Sequence, residues 1–138
     1  MWSHYSDKHK GICLEFDINN QLLKTAREII YSAEYPIWHP HEFQKNQSRA
    51  IEMVLTKSSQ WIYEKEFRIT GLLNSPVASY LVPEGDFFHL PPGALRSIIV
   101  GCAADYEAIK KIVLEYMPGL PIRKVVRAPN LYRLVIEE

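Results

Sequence analysis

Short strand-like stretches and two amphipathic helical stretches occur together in this chain, in an order that does not alternate regularly. In Ile12–Phe16 the residues alternate with a period of two, which is typical of a half-buried strand. Residues 97–101 centre on Ile-Ile-Val and indicate a buried central strand. Apolar residues at helical spacing predict helices over residues 41–57 and 105–117. The pattern therefore predicts an α+β fold with a mixed, mainly antiparallel sheet and two main helices, in one domain spanning residues 1–138.

Turn-forming and capping residues divide the rest of the chain into further short elements. Asp105 is the expected N-cap of the second helix, and Pro118 with Gly119 ends that helix. Period-two and β-branched patterns predict further strands at residues 28–35, 61–70, 79–82, 87–90, 122–127 and 131–136. The last two of these are expected to pair with each other, and the first ten residues are expected to form a short helix or turn.

The composition is that of an ordinary globular protein without an excess of charge. Hydrophobic residues make up 47% and charged residues 23% of the chain, which argues against disorder. Lys and Arg number 16 and Asp and Glu number 16, whereas proteins that bind phosphate backbones usually carry net positive charge. Nucleic acid is therefore not expected as a partner. The basic residues near the C-terminus are interpreted as a solvated face; they are Arg123, Lys124, Arg127 and Arg133.

The sequence also limits the compartment and the metal chemistry. Its apolar runs are too short to cross a membrane, and Cys13 and Cys102 lack the short spacing of redox or metal sites. We therefore expect a cytoplasmic protein with no membrane segment, in which both thiols are reduced and buried. His39 and His41 stand beside Glu42, but they fit no zinc motif, and no metal site is predicted.

Polar side chains are concentrated in the first ten residues, directly before the first predicted strand. The cluster consists of Trp2, Ser3, His4, Tyr5, Asp7, His9 and Lys10. Histidine beside a phenol and a carboxylate can carry a proton or orient a ligand. The alternative is a polar first turn in which Trp2 and Tyr5 pack into the core.

A second concentration of charge lies in the segment Tyr63-Glu64-Lys65-Glu66-Phe67-Arg68. If this segment is a strand, Glu64, Glu66 and Arg68 project to one face at intervals of about 6.5–7 Å. Two carboxylates beside a guanidinium can hold a ribose hydroxyl or a cation, or supply an acid and a base. Arg68 is expected to keep Glu66 ionised at neutral pH. The alternative is an exposed face with cross-strand ion pairs, each contributing less than about 1 kcal/mol.

Three segments contain these clusters and the predicted central strand: WSHYSDKHKGICLEFD, WIYEKEFRI and LPPGALRSIIVGCAAD. Together they resemble the bacterial family labelled domain of unknown function 2971, along essentially the whole chain. The W-x-H-Y-x-x-x-H-x-G segment of that family corresponds to Trp2, His4, Tyr5, His9 and Gly11. Its Tyr-Glu-x-Glu-aromatic-Arg segment corresponds to Tyr63, Glu64, Glu66, Phe67 and Arg68. The resemblance implies that the two clusters belong together.

In that family an N-terminal region precedes the W-x-H-Y segment, so the chain resembles only the later part of the family domain. We expect a natural short form or a truncated one, in which apolar surface or a sheet edge needs to be covered. This favours a module that binds a small ligand or another protein, acts as a homodimer and requires no cofactor. Tyr35 and Trp38 are candidate interface anchors. The resemblance also suggests an accessory gene of a mobile element.

The alternative function is an enzyme that handles NAD or another nucleotide, by analogy with ADP-ribosyltransferases. Such enzymes often combine an aromatic residue and a histidine around the nicotinamide ribose with a glutamate that stabilises charge at the anomeric carbon. Under this hypothesis Glu66 and His4 are the candidate catalytic residues. The candidate ligand-binding residues are Tyr5, His9, Tyr63, Glu64 and Arg68, with Arg68 contacting phosphate.

Overall fold

The computed structural model describes residues 2–37, 47–71 and 76–137. The chain divides into two compact units. The first unit is formed by Met1–Ile18 and Pro92–Glu138, and the second unit by Asn19–Pro91. Both units combine helices with strands, which confirms the α+β class. That the chain behaves as one domain stays a prediction.

Strands and short helices make up the described residues. The strands are β1 (Ile12–Phe16), β2 (Arg27–Glu28), β3 (Ile30–Ser32), β4 (Thr56–Ser58), β5 (Phe67–Arg68), β6 (Val82–Glu84), β7 (Phe87–His89), β8 (Leu95–Val100), β9 (Ile122–Arg127) and β10 (Leu134–Glu137). The α-helices are α1 (Trp2–Tyr5), α2 (Gln47–Val54) and α3 (Tyr106–Tyr116), and 3₁₀-helices occupy Leu23–Thr25, Ser59–Glu64 and Pro76–Ser79. Among these residues, no helix combines the length and the apolar character needed to cross a membrane.

A four-stranded sheet with the order β1-β8-β9-β10 lies at the centre of the first unit. β1 pairs antiparallel with β8, β8 pairs parallel with β9, and β9 pairs antiparallel with β10. The sheet is therefore mixed and mainly antiparallel, as the sequence predicts. The predicted central strand is β8, whose last four residues are buried.

Helix α3 connects β8 to β9 and packs on the sheet. Parallel neighbours need such a crossover, because a tight turn can join only antiparallel strands. The Asp105 carboxylate accepts the N–H of Ala108 at 3.1 Å, which confirms the predicted N-cap. Val113 of α3 is only 3% exposed and forms the core of the unit with Ile98 and Val100.

The second unit is built from short paired strands. β2 pairs antiparallel with β5, β3 pairs parallel with β4, and β6 pairs antiparallel with β7. The buried apolar side chains of this unit are Leu22, Ile29, Leu55 and Val77. Helix α2 lies within the predicted helix over residues 41–57, but the end of that prediction is wrong because Thr56 and Lys57 belong to β4. Residues 41–46 of that prediction, and Trp38, His39, His41 and Glu42, lie outside the described residues.

The predicted strand over residues 61–70 is wrong. The 3₁₀-helix Ser59–Glu64 replaces its first half, and only β5 is extended. Between them, Lys65 has a left-handed backbone with a φ of 48°. Because a 3₁₀-helix does not alternate its side chains between two faces, Trp61, Ile62 and Tyr63 are all exposed, and Glu64 after them is buried.

The short elements also explain smaller differences between the predicted and the observed strands. The strand predicted over residues 28–35 is divided between β2 and β3. Of the strand predicted over residues 79–82 only Val82 is extended, at the start of β6, while Ser79 ends a 3₁₀-helix. Cys13 is exposed and Cys102 is half-buried, so the expectation of two buried thiols is wrong. The reason for Cys13 is that β1 is an edge strand of its sheet.

Candidate functional site

A cleft of about 700 Å³ opens in the first unit. Its lining residues are His9, Arg127, Ala128, Asn130, Leu131, Tyr132, Arg133 and Leu134. All except His9 come from the end of the β9–β10 hairpin. Because small-molecule sites usually enclose roughly 300–1,000 Å³, the cleft is large enough for a small organic ligand.

The connection between β9 and β10 brings two arginines to the same end of the hairpin. Arg127 ends β9 and lies opposite Leu134 in the antiparallel register. Directly beyond this pair, the N–H of Ala128 donates to the carbonyl of Arg133 at 3.0 Å. Asn130 has a left-handed backbone with a φ of 59°, which asparagine tolerates better than most residues. The turn is therefore compact, and both arginines line the cleft.

His9 belongs to a left-handed turn between α1 and β1. Asp7, Lys8 and His9 have φ values of 42°, 55° and 70°. Such backbone costs a non-glycine residue on the order of 1–3 kcal/mol, so three in succession need support from surrounding contacts. Part of that support is a hydrogen bond from the N–H of Lys10 to the carbonyl of Ser6, at 2.9 Å.

The segment that follows β8 is hydrogen-bonded to the chain around the same turn. The N–H of Ala103 donates to the carbonyl of His9 at 3.1 Å. The N–H of Gly101 donates to the carbonyl of Gly11 at 3.0 Å. A Cβ atom at Gly101 would clash with the carbonyl oxygen of His9, so this close approach requires glycine.

Charge in the cleft favours an anionic ligand. Arg127 and Arg133 supply two guanidinium groups, and none of the described residues that line the cleft is acidic. A guanidinium binds a carboxylate or phosphate through two parallel hydrogen bonds. The Nδ1 atom of His9 is buried and makes no hydrogen bond to any described residue. The cleft therefore offers positive charge to a ligand, whereas the Nδ1 atom of His9 is buried and is not exposed to the cleft.

The residues of the second predicted cluster surround Lys57 in the second unit. The Lys57 ammonium forms ion pairs with Glu64 and with Glu66, the latter at 2.8 Å. Arg68 binds both oxygens of Glu66, with its Nη2 atom 3.2 Å from Oε2. The Arg68 guanidinium also donates to the carbonyl of Val54. Glu64, Glu66 and Arg68 therefore converge as predicted, but around a lysine that the prediction did not include.

This ionic network fixes the charge of its members. Hydrogen bonds from Arg68 and then from Lys57 lower the pKa of Glu66 to about 2. Hydrogen bonds to Glu64 and then to Glu66 raise the pKa of Lys57. Because both oxygens of Glu66 are engaged and its proton affinity is low, this carboxylate is poorly suited to proton transfer near neutral pH.

Aromatic side chains flank the network. The Tyr31 hydroxyl accepts the backbone N–H of Glu66 at 2.8 Å. The Nζ atom of Lys57 lies 5.2 Å from the centroid of the Trp61 ring, which is a cation–π contact. The ring centroids of Trp61 and Tyr63 are 5.9 Å apart. Tyr63 is 50% exposed, so it lies at the surface beside the network.

A third polar cluster, which the sequence prediction missed, crosses three strands of the first unit. The Ser97 hydroxyl donates to Glu15 at 2.7 Å, and Arg123 both donates to Ser97 at 2.9 Å and pairs with Glu15. The hydrogen bond from Ser97, followed by that from Arg123, lowers the pKa of Glu15. These residues are distant in the chain and meet through strand pairing, so no linear motif indicates them.

The predicted site residues are divided between the two units. His4, Tyr5 and His9 belong to the first unit, and Tyr63, Glu64, Glu66 and Arg68 belong to the second. His4 and Tyr5 are exposed and do not line the cleft; because Tyr5 is 66% exposed, its predicted packing into the core is wrong. Among the predicted residues only His9 lines the cleft. Across the described residues, no three His, Cys, Asp or Glu side chains are grouped as metal ligands.

A family model described as Protein of unknown function (DUF2971) matches residues 1–69, half of the chain. The match includes His9 and the network around Lys57, and it ends before the hairpin that lines the cleft. The segment over residues 90–105 that contributed to the resemblance also lies beyond it. No curated protein and no solved structure matches the chain.

Proposed function

The chain belongs to the DUF2971 family of proteins of unknown function, and we propose that it is a module that binds a small anionic ligand in the cleft of its first unit. One observation carries this proposal: Arg127, Arg133 and His9 line the cleft without an acidic residue among its described lining. Both guanidinium groups are exposed, so salt screens their attraction for the anion.

Backbone contacts that hold the lining residues in place support a binding role. The hairpin turn is closed between Ala128 and Arg133, and the turn that contains His9 is bonded to the chain after β8. Groups that are already ordered lose less conformational entropy when a ligand binds. The ion pairs with the ligand therefore contribute more of their free energy to the binding affinity.

An enzyme that handles NAD or another nucleotide is the alternative function, with Glu66 and His4 as catalytic residues. This function needs a carboxylate that can engage a ribose. Arg68 and Lys57 already occupy both oxygens of Glu66, and this pairing favours the binding module. Hydrolysis of NAD that is lost in Glu66→Gln would support the enzyme instead.

Thermal unfolding with pyrophosphate, citrate or glucose tests the proposed function. A ligand at a hundred times its Kd stabilises the folded protein by about 2.7 kcal/mol, which raises the Tm by several degrees. We expect pyrophosphate or citrate to raise the Tm and glucose to leave it unchanged.

Variants of the two cleft arginines and of one control arginine test whether the rise in Tm comes from binding in the cleft. The rise in Tm is expected to disappear in Arg127→Gln and Arg133→Gln. It should persist in Arg96→Gln, because Arg96 is exposed and does not line the cleft. The same response in all three variants would contradict a site at the cleft, and no response to either anion would contradict the anionic ligand.

We also propose that the module forms a homodimer through the β6–β7 hairpin. Four apolar side chains are exposed on or beside it: Val82 by 60%, Phe87 by 78%, Phe88 by 62% and Leu90 by 46%. Because successive residues of a strand face opposite sides, Val82 and Phe87 lie on one face of the hairpin and Phe88 lies on the other. Both faces therefore expose apolar surface, which is typical of interaction sites. A second copy is the favoured occupant because 16 basic and 16 acidic residues leave no net charge to oppose self-association.

Light scattering at high micromolar concentration tests the homodimer. We expect the mass of a dimer for the wild type and that of a monomer for Phe87→Ser with Phe88→Ser. Ile62→Ser is the control, because Ile62 is 60% exposed but lies outside the hairpin. A monomeric wild type, or a double variant that remains dimeric, would contradict the proposal.

We further propose that the module works in the bacterial cytoplasm. Cys13 and Cys102 are free, which is usual for proteins of a reducing compartment. Both thiols should react with an alkylating reagent in a freshly prepared native extract. If the isolated protein instead carries either cysteine in a mixed disulfide, the compartment is an oxidising one and the proposal is contradicted.

A further inference from the structure

We propose that the anion bound in the cleft is the phosphate of a nucleotide, so that the ligand combines a phosphate with an aromatic base. This inference rests on the proposed function and names its ligand class. The cleft has two kinds of lining group: two guanidiniums, from Arg127 and Arg133, and an uncharged set between them in the chain. That set is Asn130, Leu131 and Tyr132.

The exposure of Tyr132 distinguishes a nucleotide from a simple anion. Its relative exposure is 113%, against 55% for the neighbouring Leu131. The phenol ring therefore contributes nothing to the packing of the hairpin, and its faces are open to a ligand. A bare aromatic ring is a stacking platform for any nucleobase, because every base has a π-face.

Asn130 adds a group that can bind the polar edge of a base. Its side-chain amide carries a donor and an acceptor, the combination that base edges also present. It stands two residues before Tyr132 and lines the same cleft. A base stacked on Tyr132 can therefore be hydrogen-bonded by Asn130 while its phosphate is bound by the arginines.

Charge and volume favour a single nucleotide over the alternatives. Inorganic phosphate would leave Tyr132 and Asn130 without a role. A nucleic-acid strand is bound mainly by neutralising many phosphates, and this chain has 16 acidic residues against 16 basic ones. A volume of about 700 Å³ lies in the range of small-molecule sites.

Calorimetric titration with mononucleotides, ribose 5-phosphate and adenosine tests the inference. AMP, GMP, CMP and UMP are the nucleotide probes, and we expect each to bind about tenfold or more tightly than ribose 5-phosphate, because only they stack. Adenosine is expected to bind weakly because it lacks the phosphate. In Tyr132→Leu the affinity for AMP should fall about tenfold while that for ribose 5-phosphate stays unchanged.

The control variant is Tyr116→Leu, because Tyr116 is 72% exposed on α3 and does not line the cleft. Equal affinity for AMP and ribose 5-phosphate, or a Tyr132→Leu protein that binds AMP normally, would overturn the nucleotide and leave the anion site intact. Binding of a single-stranded oligonucleotide far more tightly than any mononucleotide would overturn it in favour of a nucleic-acid partner. Failure of pyrophosphate, citrate and nucleotides alike would overturn the proposed function as well.

Discussion

At the scale of single residues, the left-handed turn that contains His9 is the most constrained part of the proposed site. Three non-glycine residues in succession have positive φ, from Asp7 to His9. Their conformation is held by hydrogen bonds to the segment that follows β8 and by the missing side chain of Gly101. The position of His9 therefore depends on a residue that does not itself line the cleft.

Gly101→Ala is expected to destabilise the protein and to weaken ligand binding together. The added Cβ clashes with the carbonyl oxygen of His9, and forced packing of this kind costs about 1–3 kcal/mol. Urea unfolding measures the first effect, and titration with pyrophosphate measures the second. The neighbouring change Ala103→Ser, at an exposed side chain, should stay within about 0.5 kcal/mol of the wild type. Wild-type stability and affinity in Gly101→Ala would show that the turn is not held in this way.

The low pKa of Glu66 predicts that acid lowers the stability of the folded protein. Its pKa is about 2 in the folded protein, against an ordinary value of 4.5. Between these values the unfolded chain binds more protons than the folded one, so stability is present above pH 4.5 and is lost as the pH falls towards 2. In Glu66→Gln this part of the loss should disappear, whereas Glu52→Gln, at an exposed residue of α2, should keep it. The same acid dependence in both variants would contradict the ionic network.

The sequence identified most members of that network but not its geometry. The sequence predicts that Glu64, Glu66 and Arg68 share one face of a strand, and in the structure these three residues do converge. They do so through a 3₁₀-helix and the left-handed Lys65. Spacing along one segment cannot predict this arrangement, because the group that draws the carboxylates together is Lys57, which lies outside that segment on β4.

At the scale of elements, the first unit follows its sequence closely. β9 has the predicted bounds, β1 begins at the predicted residue, and α3 begins after its predicted cap. β10 pairs with β9 as expected, but it begins at Leu134 and not at residue 131. This agreement is expected because turn-forming residues separate the buried strands from the amphipathic helix in the sequence of this unit. The second unit was predicted less well, because strands of two or three residues are too short to carry a period.

Asp105→Ala tests the cap of α3. Loss of the hydrogen bond from Ala108 to the Asp105 carboxylate is expected to cost about 1 kcal/mol of unfolding free energy. Glu115→Ala is the matched control, because it removes a carboxylate from the last turn, where negative charge is unfavourable. Chemical denaturation should therefore place Asp105→Ala below the wild type and Glu115→Ala at or above it. The reverse order would contradict the cap.

The cleft itself could not be predicted from the sequence. His9 and the hairpin after Arg127 lie at opposite ends of the chain and belong to the same unit only because β1 and β9 both pair with β8. From the sequence alone, Arg127 and Arg133 are basic residues of a predicted solvated face. Only the strand pairing indicates that they line a cleft with a histidine.

At the scale of the whole molecule, one prediction concerns cooperativity. The chain forms two compact units, one of which is the continuous segment Asn19–Pro91, and a single domain is still expected. Chains of this size usually unfold in one step, so circular dichroism and tryptophan fluorescence should give the same midpoint in urea. Two separate midpoints would instead identify the units as independent domains.

The proposed binding function depends most on where an anion binds. Two-dimensional NMR of the amide groups during titration with pyrophosphate locates that site directly, without relying on a variant. We predict saturable shifts of the amides of His9 and of the hairpin from Arg127 to Leu134, excluding the proline at 129. Residues around Lys57 should remain unshifted. No saturable shift at the cleft, or shifts centred on the Lys57 network, would contradict the proposal that the cleft of the first unit is the binding site.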